Sequence, residues 1–175
     1  MLINTAGLVW VGRRYDKQND EGKGHWWQMP QGGIDKGEDG RAAALRELAE
    51  ETAVTSAEIL AESRGWYHYD LPEHLIGKSW NGKYRGQTQK WLALRFTGED
   101  SEINLAPPGH KQEFDQWRWA RMDELIEMIV PFKRPVYDRI CAVFAPLAFT
   151  PGRTGRLFVE FALTRSEEHT SELQS

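Results

Sequence analysis

Gly32-Gly-Ile-Asp-Lys-Gly-Glu38-Asp-Gly-Arg-Ala-Ala-Ala-Leu-Arg46-Glu47-Leu-Ala-Glu50-Glu51-Thr-Ala-Val54 is the stretch on which the reading of this chain turns. It opens in a loop, Gln31 to Gly37, that holds three glycines in seven residues. Such a loop lets main-chain groups approach a ligand closely. A helix is predicted to follow, from about Asp39 to Thr52. At about 100° per residue, Glu47, Glu50 and Glu51 fall within one arc of about 100°. Leu45, Leu48, Ala49 and Ala42 lie opposite, so that side is expected to dock on a sheet while the carboxylates point together, away from it. Ala43 and Ala44 flank the acids and leave open space above them. Like charges three and four residues apart sit about 5–6 Å from one another at Cβ and destabilise a helix. At an effective dielectric near 20 each close pair repels by about a few kcal/mol. A solvated acidic face is the ordinary resolution of that repulsion. A divalent cation is the other, since hard cations take carboxylate oxygens and magnesium keeps waters and phosphate oxygens as further ligands.

Outward from this segment, Gly7 to Arg14 reads as a strand closed by a basic pair. Asp16 to Gly24 reads as a loop, and Trp26–Met29 as a short extended piece held out of helix by Pro30. Ile59 to Tyr69 and Gln87 to Phe96 are predicted as long strands, rich in aromatic and branched residues. Phe114 to Trp119 is a further strand. Helices are predicted near Met122–Ile129 and Pro135–Phe144, the second with proline in its first turn. Strands and helices interleave without repeats, which implies an α/β sandwich with a mixed sheet.

The 175 residues suit one domain, and 40% apolar content is enough for one core. With 22 basic against 26 acidic residues, the formal charge of −4 argues against coating nucleic acid through bulk electrostatics. It leaves room for a site that grips one phosphorylated end. The single cysteine, Cys141, cannot form an internal disulfide, which points to a reducing compartment. Its neighbours Ile140, Val143 and Phe144 suggest an inert core thiol in a packed helix. No apolar run approaches membrane-spanning length and no signal-peptide pattern opens the chain, so a cytoplasmic protein without membrane association is expected.

Gly32–Val54 resembles the Nudix box: glycine, five residues, Glu38, seven residues, Arg46-Glu47-Leu48, one residue, Glu50-Glu51, one residue, then a small residue and an aliphatic. Ala53 stands where that family has glycine. A helix-ending glycine often adopts a left-handed conformation, in which alanine costs about 1 kcal/mol. The resemblance implies a Nudix α/β/α sandwich and metal-dependent attack of water on a phosphorus. It implies that Glu47, Glu50 and Glu51 bind magnesium or manganese, with the Gly32 carbonyl as a further ligand. It also implies that Glu38 and Arg46 pair to brace the loop against the helix.

The similarity runs past the box. Trp27-Gln-Met-Pro-Gln-Gly-Gly33, Tyr84-Arg-Gly-Gln-Thr-Gln-Lys-Trp91, Glu113-Phe-Asp-Gln-Trp-Arg-Trp119 and Val130-Pro-Phe-Lys-Arg134 resemble bacterial RNA pyrophosphohydrolases and the related plant-type dinucleoside polyphosphate hydrolases. The match covers roughly residues 2–144. It implies Glu113 as an additional metal ligand or base. It implies Arg14 and Phe132 as the grip on an RNA base, with Val130 and Lys133 beside them, and Tyr69 and Lys90 as phosphate contacts. Taken singly, each of these reads as a core aromatic or a solvated cation. Together they imply a 5′-triphosphorylated RNA end or a dinucleoside polyphosphate as partner. An RNA 5′-pyrophosphohydrolase, a diadenosine tetraphosphate hydrolase and a catalytically dead sensor of a nucleotide or RNA end are the three readings. Retention of Glu47, Glu50 and Glu51 favours an enzyme.

Residues 1–145 are read as the Nudix domain and 146–175 as a tail. The resemblance implies a Tyr-Arg-Pro stretch before the first strand; Met1-Leu-Ile-Asn is expected to begin inside that strand, without the arginine that helps bind phosphate in relatives. Arg165 to Ser175 resembles a translated sequencing adaptor and carries no apolar face. Deleting 165–175 is expected to leave melting temperature and turnover unchanged, since nothing there can bury apolar area. Thermal unfolding and a phosphate-release assay on the shortened chain check this.

Overall fold

Period-two alternation builds the sheet and assigns its two faces. Leu92, Leu94 and Phe96 join Leu2, Trp10 and Phe114 on one side, with Leu48 of the helix seated among them. Ala93 joins Ile3, Val9 and Val11 on the other side, under Ile140 and Phe144. The computed structural model describes residues 1–15, 26–76 and 85–148. The predicted loop at 16–24, Tyr84 and all of the chain beyond 148 lie outside the described residues.

The strands are β1 (Leu2–Ile3), β2 (Val9–Arg14), β3 (Trp27–Gln28), β4 (Ala57–Glu62), β5 (Tyr67–Asp70), β6 (Gly86–Gln89), β7 (Leu92–Phe96) and β8 (Phe114–Ala120). The helices are α1 (Gly40–Thr52), α2 (Leu125–Met128) and α3 (Arg134–Ala148). Six strands form a mixed sheet in the order β3-β2-β1-β7-β4, with β8 on the other side of β2. β1 and β7 are parallel, in the register Leu2 opposite Leu94. The other pairs in this sheet are antiparallel. Helix α1 lies on one face, α2 and α3 on the other, as the α/β/α reading expects. Cys141 is buried in α3 and its thiol is pushed up to about 12 by desolvation.

Three expectations need correction. Neither Ile59–Tyr69 nor Gln87–Phe96 is one strand. Both break at the same level, where the Ser63 amide donates to the Trp91 carbonyl at 2.8 Å. The Trp91 amide returns a bond to Ser63 Oγ at 3.1 Å. This reciprocal pair turns both arms out of the main sheet, and β5 and β6 continue as a separate two-stranded sheet. The second correction concerns α1. Its buried residues are Ala43, Leu48, Glu51 and Thr52, whereas Leu45 is exposed. The acidic side therefore rolls partly into the protein, with Leu48 as its apolar anchor. Further along, the predicted helix at 122–129 is a 3₁₀ turn, Met122–Glu124, followed by the short α2.

Asp39 caps α1 by accepting from the amides of Arg41 and Ala42 at 3.0 and 3.2 Å. At the other end Ala53 holds φ 61°, with its amide on the Ala49 carbonyl at 2.8 Å. Among the described residues it is the one non-glycine with positive φ. A left-handed alanine is strained by about 1 kcal/mol relative to glycine. Ala53→Gly is therefore expected to stabilise the protein by up to about that amount, with turnover unchanged. The urea midpoint at constant m-value reads the difference.

Candidate active site

Arg46 organises the acidic loop and helix. Its Nε and Nη2 hold the two oxygens of Glu38, both at 2.8 Å. Nη2 also reaches the Gly33 carbonyl at 2.8 Å. Nη1 lies 2.9 Å from Glu47 Oε1 and 3.3 Å from Glu50 Oε1. One guanidinium thus ties the glycine loop to the helix and offsets the repulsion between Glu47 and Glu50. The Arg46 bond and the Asp35 amide hold the Glu38 carboxyl at about 2, well below its ordinary range. Glu38 and Arg46 meet, and Arg46 reaches Glu47 and Glu50 as well.

Glu51 is in different surroundings. It is 6% exposed, and its Oε2 accepts from the Gln31 amide at 3.1 Å. Burial pushes its carboxyl up to about 8, and the nearby charges of Glu113 and Glu47 push the same way. Glu113 pairs with Arg14 at 3.4 Å and, more loosely, with Lys111 at 3.9 Å. His110 approaches Glu50 at 3.7 Å. Gly32 lies against Glu47, and a Cβ at residue 32 would fall 1.8 Å from that carboxylate. The four glutamates line one region without meeting at a point. Among the described residues, no three acidic, histidine or cysteine side chains converge as a ligand set. Arg46 occupies Glu47 and Glu50 while Glu51 faces Gln31. The donor set nevertheless suits a hard cation. It is all carboxylate, and Glu51 is a desolvated acid that a nearby positive charge would return to its anionic form.

The residues assigned to substrate fall into three places. Tyr69, Phe132 and Lys133 come together: the two rings are 5.5 Å apart, and the Lys133 ammonium stands 5.3 Å over the Tyr69 ring. Val130 is buried beside them and its carbonyl accepts from the Lys133 amide at 3.0 Å. Arg14 goes to Glu113. Lys90 points elsewhere, to Glu62 at 3.3 Å and to the Arg64 carbonyl at 3.3 Å. Lys133 is also buried, with Nζ 3.3 Å from Gln31 Oε1 and 3.5 Å from Gln28 Oε1. Sequence reasoning missed these glutamines. Gln87 and Gln89 stand two apart on a strand and so share a face, which was the available signal. A cavity of about 360 Å3, bordered by Gln31, Gly32, Ala43, Glu47, Gln89 and Lys90, opens beside α1.

The cavity of about 360 Å3 is walled by the glycine loop and by a carboxylate-bearing helix that one arginine ties to that loop. The NUDIX domain family matches residues 1–140. This chain belongs to the NUDIX family. It is a Nudix hydrolase. Curated relatives agree. It is 57% identical over 152 residues to an RNA pyrophosphohydrolase of Brucella ovis, covering 85% of this chain and 85% of that protein. It is 57% identical over 149 residues to the RNA pyrophosphohydrolase of Rhodopseudomonas palustris, covering 85% of this chain and 89% of the relative. Among solved structures, the Escherichia coli dihydroneopterin triphosphate pyrophosphohydrolase superposes with a TM-score of 0.58 at 17% identity, over 81% of this chain and 92% of that one. That likeness supports the Nudix fold. Nudix hydrolases generally use divalent metal ions. No helix among the described residues is long and apolar enough to cross a membrane.

Proposed function

We propose that this Nudix hydrolase converts 5′-triphosphorylated RNA to 5′-monophosphorylated RNA. Relatives 57% identical over 152 and 149 residues carry the name RNA pyrophosphohydrolase. The observation that carries the reading is the physical link between two half-sites. Gln31 touches Glu51 through its backbone amide and Lys133 through its side chain. Gln31 thereby makes the acidic centre and the cluster of Tyr69, Phe132 and Lys133 neighbours, which supports reading them as one site. A chain with a charged end and a base at the other suits it.

Glu47, Glu50, Glu51 and Glu113, with the Gly32 carbonyl, would hold magnesium or manganese. Bound there, the ion supplies an activated water and neutralises charge on the phosphates. The protein's own residues do the rest. Arg46 and Glu38 fix the loop on the helix, so that the Gly32 carbonyl and Glu47 keep one spacing. The Gln31 amide orients Glu51. Glu113 completes the ligand set or takes the proton of the attacking water. Phe132 and Arg14 stack the base of the RNA end, an arrangement that grips unpaired nucleotides. Val130 packs beside Lys133, which charges this cluster, while Lys90 would reach the phosphates by releasing Glu62 and Tyr69 acts on them through Gln87. The protein acts in the cytoplasm, where such ends occur.

A short 5′-triphosphorylated RNA is expected to yield the monophosphate with kcat/KM above that for diadenosine tetraphosphate, under the same metal and pH. EDTA is expected to abolish the reaction. Preference for the dinucleotide would identify a dinucleoside polyphosphate hydrolase instead. Activity undiminished by EDTA would sink the mechanism.

A further inference from the structure

Three neutral amides lock together between the acidic centre and the aromatic pocket. The Tyr69 hydroxyl donates to Gln87 Oε1 at 2.8 Å. Gln89 Nε2 donates to the same oxygen at 3.0 Å and to Gln31 Oε1 at 3.2 Å. Lys133 Nζ also donates to Gln31 Oε1, at 3.3 Å. An ammonium has only donors, so the Gln31 oxygen must face it and the Gln31 nitrogen must face away. Gln87 is fixed likewise, because its oxygen serves two donors. Gln89 spends its amide hydrogens on this lock. The Nε2 groups of Gln31 and Gln87 make no hydrogen bond among the described residues, and both residues line the same cavity as Glu47.

The cations of the acidic centre, and Lys90 on the cavity wall, are already engaged. Arg46 is on Glu38, Glu47 and Glu50, Arg14 on Glu113 and Lys90 on Glu62. Carboxylates capture a cation far more strongly than they capture an amide. A neutral amide is thus the donor that stays available beside four glutamates. We propose that Gln31 and Gln87 are substrate-positioning residues, which donate from Nε2 to the non-bridging oxygens of the phosphate chain. Lys133, Tyr69 and Gln89 act through them by fixing which way each amide faces. This inference rests on the reading of the site as one for a polyphosphorylated end.

The test uses the full chain with Mn2+. Inorganic tripolyphosphate competes against turnover of 5′-triphosphorylated RNA, while calorimetry follows Mn2+ binding and thermal unfolding follows the fold. Gln31→Glu and Gln87→Glu keep each oxygen acceptor and replace only the nitrogen. Gln87→Met removes the donor without adding charge. A hydrogen bond to a charged oxygen is worth about tenfold or more in affinity. The Ki for tripolyphosphate and the KM for RNA are therefore expected to rise by about that factor in both Glu variants. A rise of about threefold or more is expected in Gln87→Met, with kcat, Mn2+ binding and melting temperature close to wild type. An unchanged Ki in the Glu variants overturns the assignment. So does a rise confined to the Glu variants, which is general repulsion, or a loss of Mn2+ binding in step with KM. Wild-type protein that neither binds tripolyphosphate nor turns over the RNA overturns the functional reading, and this assignment with it.

Discussion

Glu51→Gln is expected to remove turnover by about a hundredfold or more while making the metal-free protein more stable at pH 8. The two effects have one origin. Glu51 is buried and its carboxyl sits near 8, against an ordinary value of 4.5. Between those values the folded protein keeps a proton that the unfolded chain releases. Stability from this group is therefore fully present below about pH 4.5 and is lost as pH rises to about 8. The loss across that window is on the order of 3–5 kcal/mol. A glutamine has nothing to ionise and can still accept from the Gln31 amide. Melting temperatures with EDTA at pH 5 and pH 8 should diverge in wild type by roughly ten degrees and converge in the variant. Mn2+ should restore the wild type at pH 8 and leave the variant unmoved. Full activity in Glu51→Gln would remove this residue from the chemistry.

Phe132→Ala is expected to lower RNA turnover by about tenfold or more, since stacking is worth roughly 1–3 kcal/mol per base. The ring is only half-buried, packed at 5.5 Å on Tyr69. Its removal opens no deep cavity, so the loss should appear in catalysis before it appears in the melting curve. Diadenosine tetraphosphate offers a base too, and the comparison of the two substrates in the same variant is what informs. A larger loss on RNA ties Phe132 to the RNA end. An RNA rate indifferent to Phe132 would place base recognition elsewhere.

Much of this site could be read without coordinates because charge and spacing are written along the chain. Glu38, Arg46, Glu47 and Glu50 fall together as their separations dictate on a loop and one helix. The faces of β7 follow from simple alternation. What spacing cannot convey is depth. Glu51 shares an arc with Glu47 and Glu50, yet it alone is buried, because the Gln31 amide from outside the helix draws it in. The strand breaks were only partly legible for a similar reason. Within Ile59–Tyr69, Gly65 was the local hint of an end, and Ser63, two residues before it, donates to its carbonyl; where both arms turn is set by the bond to Trp91, 28 residues from Ser63. The glutamine lock escaped notice because neutral amides leave no charge pattern, and because Lys133, just before α3, decides their orientation.

The reciprocal bond between Ser63 and Trp91 also bears on how such enzymes diversify. It divides the molecule into a scaffold that holds the carboxylates and an arm, β5 with β6, that carries Tyr69, Gln87 and Gln89. The joint consists of main chain and one small hydroxyl. Substitutions beyond it alter what the arm presents without disturbing the registers of the six-stranded sheet. Point changes on the exposed positions of this arm can therefore alter what it presents while the carboxylates stay where the sheet and α1 hold them.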